Sequence, residues 1–119
     1  YVAAQEWRSR IRHVAEAALT NCDFLLTPSV AASVKPIGQE DIEVAGKEVS
    51  YRPQLSRYYA VVNHLGLPAL ALPLDMDGTP PPSIQLIGNR WQEHRQLAMG
   101  SALEKAGISR YRKPPDGSE

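Results

Sequence analysis

The pattern of apolar and polar positions predicts a long helix at the start of the chain. Over residues 1–19 the apolar side chains recur at helical spacing, which is typical of an amphipathic helix. We expect the apolar face to carry Trp7, Ile11, Val14 and Ala18, and the opposite, polar face to carry Arg8, Arg12, His13 and Glu16. Such a helix needs other elements to cover its apolar face, so the pattern indicates a globular protein.

Three short apolar runs predict strands, because each is too short for a buried helix. Residues 24–27 form the first run, which Pro28 closes, and we expect a buried strand there. Residues 69–72 are continuously apolar up to Pro73, which predicts a strand covered on both faces, as in an α/β sheet. Residues 83–87 form the third strand, after a turn rich in glycine and proline.

Two further helices and a hairpin complete the predicted elements. Residues 54–65 predict a helix that ends at Gly66, with Pro68 preventing its continuation. Its apolar stripe is expected to contain Leu55, Tyr58, Tyr59 and Val62. Residues 42–44 and 49–51 alternate around a turn at 45–48, which favours a small hairpin.

The last predicted helix begins after Asn89, which we expect to cap it with Gln92 three residues later. Gly107 should end this helix, and its packing face should contain Leu97, Ala98, Ser101 and Ala102. The order of helices and strands predicts an α/β fold formed by residues 1–108. Residues 109–119, which contain Pro114 and Pro115, are expected to be a frayed polar tail.

Composition narrows the class of protein without giving a function. The 119 residues, with 13 basic and 13 acidic side chains and a net charge of +0, fit one domain or part of one. The absence of a basic surplus argues against a nucleic-acid or anionic-membrane partner. The single cysteine excludes a disulfide framework and favours a reducing compartment such as the cytoplasm. The chain starts at Tyr1, so we interpret it as a piece of a longer protein.

No candidate chemistry emerges from the residues alone. His13, His64 and His94 lie on three separate predicted elements and show no metal-ligand spacing. Cys22 stands just before an apolar run, where a free cysteine usually behaves as a small buried hydrophobe. There is no G-x-S-x-G motif, and no glycine-rich phosphate loop. Arg110, Arg112 and Lys113 are interpreted as part of a solvated tail. We therefore predict no catalytic, cofactor-binding or metal-ligating residue in this chain.

Three ordered stretches nevertheless resemble the C-terminal end of the amidase signature family. The first stretch is Tyr1–Gln5 and Arg8, leading to D-F-L-L-T-P at residues 23–28. The second is N-H-L-G-L-P-A-L-A-L-P at residues 63–73. The third is Asp77-Gly78, followed by S-I-Q-L-I-G at residues 83–88. The resemblance extends to about Ala106. Thr79 and the three prolines at residues 80–82 replace the family's usual G-L-P-x-G, which raises the question of how the last strand begins.

The resemblance implies an amidase acting on linear amides, or an amidotransferase subunit that uses the same chemistry. Members of the family use a nucleophilic Ser, a Ser in a cis peptide and a Lys, all in the N-terminal and central part of the fold. None of these is carried over, because Lys35, Lys47, Lys105 and Lys113 do not occupy the catalytic position. In the resembled fold this chain forms the C-terminal part of a mixed β-sheet flanked by helices.

The residues of the three motifs also have structural explanations. Asn63 lies near a predicted helix end, where its amide can satisfy loose backbone groups. Gly66 supplies a backbone conformation that other residues resist. Gln85 is polar within an apolar strand, so it needs hydrogen-bond partners if it is buried. These residues are interpreted as structural and not catalytic.

Two hypotheses follow from the sequence. In the first, the chain completes the fold of an amide-bond hydrolase and walls part of its acyl pocket, while by itself it is inactive. Its partners are then the remainder of the amidase chain and a small amide substrate, and the isolated chain is expected to self-associate. In the second, it is a non-catalytic α/β module that binds a partner through an exposed sheet edge or apolar face. Neither requires a cofactor, a nucleic acid or a membrane.

Overall fold

A computed structural model describes residues 1–32, 34–76 and 80–113 of the chain. The helices are α1 (Val2–Ala18), α2 (Tyr51–Ser56), α3 (Tyr59–Leu65) and α4 (Glu93–Lys105). The strands are β1 (Leu25–Pro28), β2 (Asp41–Val44), β3 (Lys47–Ser50), β4 (Ala69–Pro73) and β5 (Ser83–Ile87). The predicted α/β fold is confirmed, with every predicted strand present within one or two residues of its expected bounds.

The main sheet has three strands in the order β1-β5-β4, and both pairings are antiparallel. Ile87 pairs with Leu25 on one side and with Ala69 on the other. At the opposite end, Pro28 is aligned with Ile84 and Pro73 with Ser83. Both outer strands thus end in proline at the end of the sheet where β5 begins. The predicted hairpin is also confirmed, as β2 and β3 pair around Ala45 and Gly46, both at positive φ.

Helices cover the two faces of the sheet unequally. On one face the side chains of Leu25 and Ile87 join a core cluster with residues of α1 and α3 and their flanks, namely Ala15, Leu19, Val62, Leu65 and Leu67. On the other face α4 packs on β4, where Gly100 lies against Leu70 and Leu72. Because directly opposed residues in an antiparallel sheet share a face, α1 and α3 cover β1 and β5, whereas α4 covers β4 and β5.

The prediction that β4 is covered on both faces is therefore wrong for this chain. Ala69 and Ala71 of β4 lie on the same face as Leu25 and Ile87, but they are exposed because α1 and α3 do not extend over β4. The prediction of a buried β1 is wrong for a similar reason, since Leu26 lies on the α4 side of the sheet but is 61% exposed, because α4 does not extend over β1. Among the strands in the described part of the chain, β5 alone has helices over both faces, and Gln85, Leu86 and Ile87 are all buried there. An apolar run indicates where cover is needed, but not whether this chain supplies it.

Helix α1 packs on a different face from the one expected. Trp7 and Val14, assigned to the buried face, are 60% and 71% exposed. The buried positions are Ala15 and Leu19, with Ile11 packed beside them. Arg8 and Arg12 lie on this inner side and are partly exposed, and each donates a hydrogen bond to a backbone carbonyl at the end of α3. The pattern assigned both arginines to the polar face, because a hydrophobicity pattern does not count the apolar stem that lets an arginine lie along a partly buried surface.

The predicted helix at residues 54–65 is divided into α2 and α3. Tyr59, assigned to the apolar stripe, is 41% exposed at the start of α3, whereas Val62 is buried as expected. Gly66 has φ 64° and ψ 34° and ends α3 with a hydrogen bond from its N–H to the Val62 carbonyl. The predicted glycine C-cap is confirmed.

Helix α4 begins later and packs differently than predicted. Gln92, not Asn89, stands at its N-cap, and no side chain caps it. The Asn89 amide instead donates to the Leu19 carbonyl at 3.5 Å. The buried positions of α4 are Gln96 and Gly100, whereas the expected packing residue Leu97 is exposed. An amide and a glycine face the sheet because the backbone there offers carbonyls and leaves little room. Gly107, at φ 72°, follows the helix end as predicted.

The first residues after α4 are attached to the end of β4. Ser109 forms an isolated bridge with Leu74, and Arg110 and Arg112 form ion pairs with Asp75. The predicted solvated tail is therefore held by contacts at least as far as Arg112. The motif residues Asp77 and Gly78, the substituted Thr79, and the predicted frayed segment at 114–119 with Pro114 and Pro115 all lie outside the described residues.

Candidate functional site

A large hollow lies at the proline-bearing end of the sheet. We call it the proline cleft, and its volume is 750 Å³. It is lined by Pro28, Pro80, Pro81 and Pro82, together with Val30, Tyr51 and Leu55. No described residue of its lining carries a charge, so the cleft suits an uncharged, largely apolar group.

Each wall of the proline cleft follows from local structure. The pairing of β1 with β5 continues one step beyond the strands, where the Ser29 N–H donates to the Ser83 carbonyl at 3.0 Å. This bond brings the chain after β1 beside the prolines that precede β5. Helix α2 follows directly after the hairpin and contributes Tyr51 and Leu55 to the cleft. Pro80, Pro81 and Pro82 line the cleft beside this segment, and none of them has an N–H donor for a further strand.

Polar groups beneath the proline cleft are satisfied, with one exception among the described residues. Gln85 is buried, and its amide donates to Thr27 Oγ1 at 2.8 Å and to the Pro28 carbonyl at 3.4 Å. This confirms that a buried Gln85 has partners, and it ties β5 to the end of β1. The Ser29 hydroxyl is buried and has no hydrogen-bond partner in the described part of the chain.

A second hollow of 470 Å³ adjoins the proline cleft across Ala31, Ala32 and Val34. Its other side is formed by the hairpin and by Lys35, whose ammonium group lies 5.1 Å from the centre of the Tyr51 ring. The same ammonium group donates to the Gln39 carbonyl. Lys35 is thus engaged in holding its loop against α2, and it brings a positive charge to the rim of the uncharged cleft.

The sequence-derived candidates for catalysis are dispersed over the surface. His13, His64 and His94 are exposed on α1, α3 and α4. In residues 1–32, 34–76 and 80–113 no group of three or more His, Cys, Asp or Glu side chains could hold a metal ion. Cys22 was expected to be buried, and this is wrong. Its thiol is exposed and donates to the Ala18 carbonyl at 3.3 Å, because the chain leaves α1 before the apolar strand begins.

Asp75 is the described acidic group whose titration the structure clearly changes. A hydrogen bond from Arg112 at 2.9 Å lowers the pKa of this carboxyl, and the charges of Arg112 and Arg110 lower it further against partial desolvation. Asp75 and the two arginines lie beyond the end of β4, and none of them lines the proline cleft. They form an attachment point for the segment after α4.

Sequence reasoning missed a group of arginines, Arg8, Arg12 and Arg90, which we call the arginine cluster. The Nε atoms of Arg8 and Arg12 lie 2.6 Å and 2.9 Å from the carbonyl oxygens of His64 and Leu65. Arg90 Nη2 lies 3.3 Å from the same Leu65 oxygen. The available signal was the spacing of Arg8, Arg12, Ala15 and Leu19 at intervals of three and four residues. That spacing marks one helix face, whereas the hydrophobic pattern assigns its arginines to solvent.

Comparisons with known proteins agree with the resemblance. A family model described as Amidase matches residues 1–97. A fatty acid amide hydrolase from Oryza sativa subsp. indica is 31% identical over 116 residues, which are 96% of this chain and 19% of that protein. A glutamyl-tRNA(Gln) amidotransferase component from Thermus thermophilus is 32% identical over 98% of this chain and 24% of its own length.

The fold comparison gives the same result. The solved structure of a vestigial protein complex, reported as revealing the evolutionary origins of an s-triazine catabolic enzyme, superposes with a TM-score of 0.85 at 33% identity. The superposition covers 95% of this chain and 25% of that one. The chain therefore spans about a fifth to a quarter of the length of the proteins that it matches.

Proposed function

Because this chain belongs to the amidase family, we propose that it completes the fold of an amide-bond hydrolase and walls part of the acyl pocket. The reaction is the hydrolysis of a linear amide, and the nucleophilic Ser, the cis Ser and the Lys come from polypeptide outside this chain. The observation that carries the proposal is the proline cleft, an uncharged hollow of 750 Å³ at one end of the sheet. Such a hollow fits the acyl part of a neutral amide and not a charged group.

The role of this chain's own residues is to bind and orient the acyl group. Tyr51 and Leu55 form the helical wall of the cleft, and the prolines at residues 80–82 form the wall of the sheet. A rigid proline wall excludes water without moving, because its backbone dihedrals are restricted. Holding the acyl group in a dry site against a fixed wall favours attack at the carbonyl by groups placed elsewhere.

The exposed parts of the sheet support the proposed assembly with the remainder of an amidase chain. Leu26 on β1 and Ala71 on β4 are uncovered on opposite faces of the sheet. Trp7 and Val14 are exposed on the outer side of α1. Large apolar side chains exposed on several sides are typical of a surface that a partner covers. The surface fits a domain core from which one part has been separated.

The proposal is tested by reconstitution. We expect the isolated chain to show no turnover of simple aryl and aliphatic amides, and we expect turnover to appear when the remainder of the parent chain is added. In the assembled enzyme, Leu55→Asp should raise KM for a neutral amide by about tenfold, since a charge in an apolar site is unfavourable. Leu97→Asp, at an exposed position on α4, is the matched control and should leave KM unchanged.

Two outcomes would contradict the proposal. Turnover by the isolated chain that survives replacement of Cys22 and of the nearby serines would place the chemistry in an unexpected part of this chain. An unchanged KM in Leu55→Asp, with activity restored by assembly, would keep the amidase assignment and remove the acyl-pocket role from the proline cleft.

The alternative function is that of a stand-alone interaction module, which the two outer strands favour. In the described part of the chain, β1 and β4 each have one edge without a neighbouring strand. Under the amidase proposal the isolated chain should self-associate and bind a hydrophobic dye, and both should be suppressed by the missing polypeptide. A compact monomer that binds no dye over a wide concentration range would instead favour the stand-alone module.

The proposed setting of the enzyme is the cytoplasm, on the basis of the single cysteine. Across the described residues, no helix combines the length and the apolar character that crossing a membrane requires.

A further inference from the structure

The arginine cluster gathers three cations at the C-terminal end of α3. Arg12 Nε and Arg90 Nη2 donate to the same Leu65 oxygen, and Arg8 donates to the preceding carbonyl of His64. Carbonyls at the end of a helix need donors, and a positive charge there is favourable. One guanidinium would satisfy both requirements, so three of them exceed what capping the helix needs.

The positive charge of the cluster is not balanced by its surroundings. Glu16 forms an ion pair with Arg90, with its Oε1 atom 3.9 Å from Arg90 Nη2, and both side chains are about 40% exposed. Arg8 and Arg12 form no ion pair with any described residue, and their Nη groups make no hydrogen bond to one. The whole chain has a net charge of +0, so the excess of positive charge is local. Two guanidiniums that share one acceptor repel each other unless an anion lies between them.

Open space is available next to these Nη groups. The Nη2 atoms of Arg12 and Arg90 are both 3.8 Å from the point where a Cβ on Gly66 would lie. Gly66 has no side chain, so the surface between the two guanidiniums is unobstructed. A hollow of 370 Å³ extends from it along Leu67, Pro68 and Arg90. Glu93 also lines the hollow but forms no ion pair with the cluster in the described structure.

Trp91 borders the same hollow and is unusual in two ways. It is 87% exposed, and its φ of 63° is a conformation that is costly for a residue with a side chain. An exposed aromatic residue beside arginines has the composition of a strongly binding surface. The strained turn keeps Trp91 directly next to Arg90, at the rim of the hollow.

We propose that Arg8, Arg12 and Arg90 form a binding site for a carboxylate group. The planar guanidiniums present pairs of N–H donors that match the two oxygens of a carboxylate, and Trp91 provides apolar contact for the carbon atoms attached to it. The carboxylate is supplied by an aspartate or glutamate side chain of the amidase polypeptide outside this chain, or by a free carboxylic acid. The first source rests on the proposed function, whereas the site itself does not.

The site is tested on the isolated chain with malonate as the probe. Compared with chloride at equal ionic strength, malonate at ten times its dissociation constant should raise Tm by about 5 °C. Arg12→Gln and Arg90→Gln should each remove most of this rise. Arg10→Gln, an exposed position on the same helix, is the matched control and should retain it.

Two results would overturn the site. One is a rise of equal size in all four proteins, which would show a general salt effect. The other is no rise in the unmodified chain, which would show that the arginines only cap α3. If Arg12→Gln does not fold, NMR of the arginine Nε–H signals in the unmodified chain serves instead. Malonate should shift the Arg8 and Arg12 signals and leave that of Arg10 unchanged, and equal shifts at all three would also overturn the site.

A second arm of the experiment identifies the source of the carboxylate. In the chain assembled with the remaining amidase polypeptide, we expect malonate to leave the Arg12 signal unchanged, because a side-chain carboxylate already occupies the site. A shift that persists after assembly would identify a free carboxylic acid as the ligand. Failure of the two parts to assemble would count against the proposed function alone, since the first arm uses only this chain.

Discussion

The central strand β5 and its two neighbours are built from similar apolar residues but have different surroundings. β5 is paired on both edges and has helices over both faces. β1 and β4 are each paired on one edge and covered on one face, and their uncovered faces lie on opposite sides of the sheet. The difference shows that local sequence determines strand formation, whereas burial depends on which helices the same chain can place over each strand.

The largest expected effect comes from the central strand. Ile87 is buried in the cluster between the sheet, α1 and α3, and Ile87→Ala should lower the free energy of unfolding by about 2–5 kcal/mol. Leu26→Ala on β1 is the matched control and should lower it by less than about 1 kcal/mol, because that side chain is mostly exposed. Urea denaturation of both variants measures the two values. Equal losses of unfolding free energy in the two variants would contradict the distinction between the central and outer strands.

The second prediction concerns the polar contact that joins α4 to β5. Gln96 is 2% exposed, and its amide donates to the carbonyls of Leu86 and Pro68, both at 2.8 Å. Gln96→Leu removes both hydrogen bonds and should lower the free energy of unfolding by about 2 kcal/mol, as measured by urea denaturation.

The control for this variant is Gln5→Leu, at an exposed position on α1, which should change stability by less than about 0.5 kcal/mol. Gln96→Leu with unchanged stability would mean that packing alone holds α4 on the sheet.

A smaller effect is expected at the junction that leads into β4. Gly66→Ala places a side chain at φ 64° and should lower the free energy of unfolding by about 1 kcal/mol. Gly66→Asn should lose less, because asparagine tolerates the left-handed conformation. Thermal unfolding compares the two variants with the parent. A melting temperature for Gly66→Ala at or above that of the parent would contradict the assigned role of Gly66 in ending α3.

The smallest expected effect is pH-dependent and lies beyond the end of β4. Because Arg112 and Arg110 lower the pKa of Asp75 in the folded chain, their pairing stabilises the fold above the ordinary carboxyl pKa of 3.8. This contribution should be lost as the pH falls from that value through the lowered pKa. Asp75→Asn should remove this part of the pH dependence and leave stability at pH 7 slightly reduced. Identical acid-unfolding curves for the parent and Asp75→Asn would refute the stabilising role of the Asp75 ion pairs.

The sequence predicted the elements of the fold better than it predicted their environments. Periodicity and proline positions located the strands, and glycine chemistry located the ends of α3 and α4. The faces of α1 and α4 were assigned wrongly because apolar residues were taken to mark the interior. In fact Gln96 is buried and Arg12 is partly buried, and both bind backbone carbonyls, while Trp7 and Leu97 are exposed. A hydrophobicity pattern contains no information about long polar side chains that reach a helix end or a strand end.

The candidate sites were less predictable than the fold. The described lining of the proline cleft comes from residues 28–32, Val34, α2 and residues 80–83, and the pairing of β1 with β5 brings the first and last of these together. The arginine cluster unites positions more than fifty residues apart in sequence, as the bonds of Arg8 and Arg12 to α3 show. Neither grouping has a spacing that could be recognised along the chain, because each depends on the packing of separate elements.

The prolines at one end of the sheet limit how the isolated chain can associate at high concentration. Pro28 and Pro73 end the two outer strands, so a foreign strand that pairs with either edge meets a residue without an N–H donor after three or four residues. A short edge that is blocked at one end cannot serve as the template for an in-register stack of copies. Association through these edges should therefore stop at small oligomers and not continue into fibres. The exposed edges can then remain available for the assembly that we propose with further amidase polypeptide, without the hazard of amyloid growth.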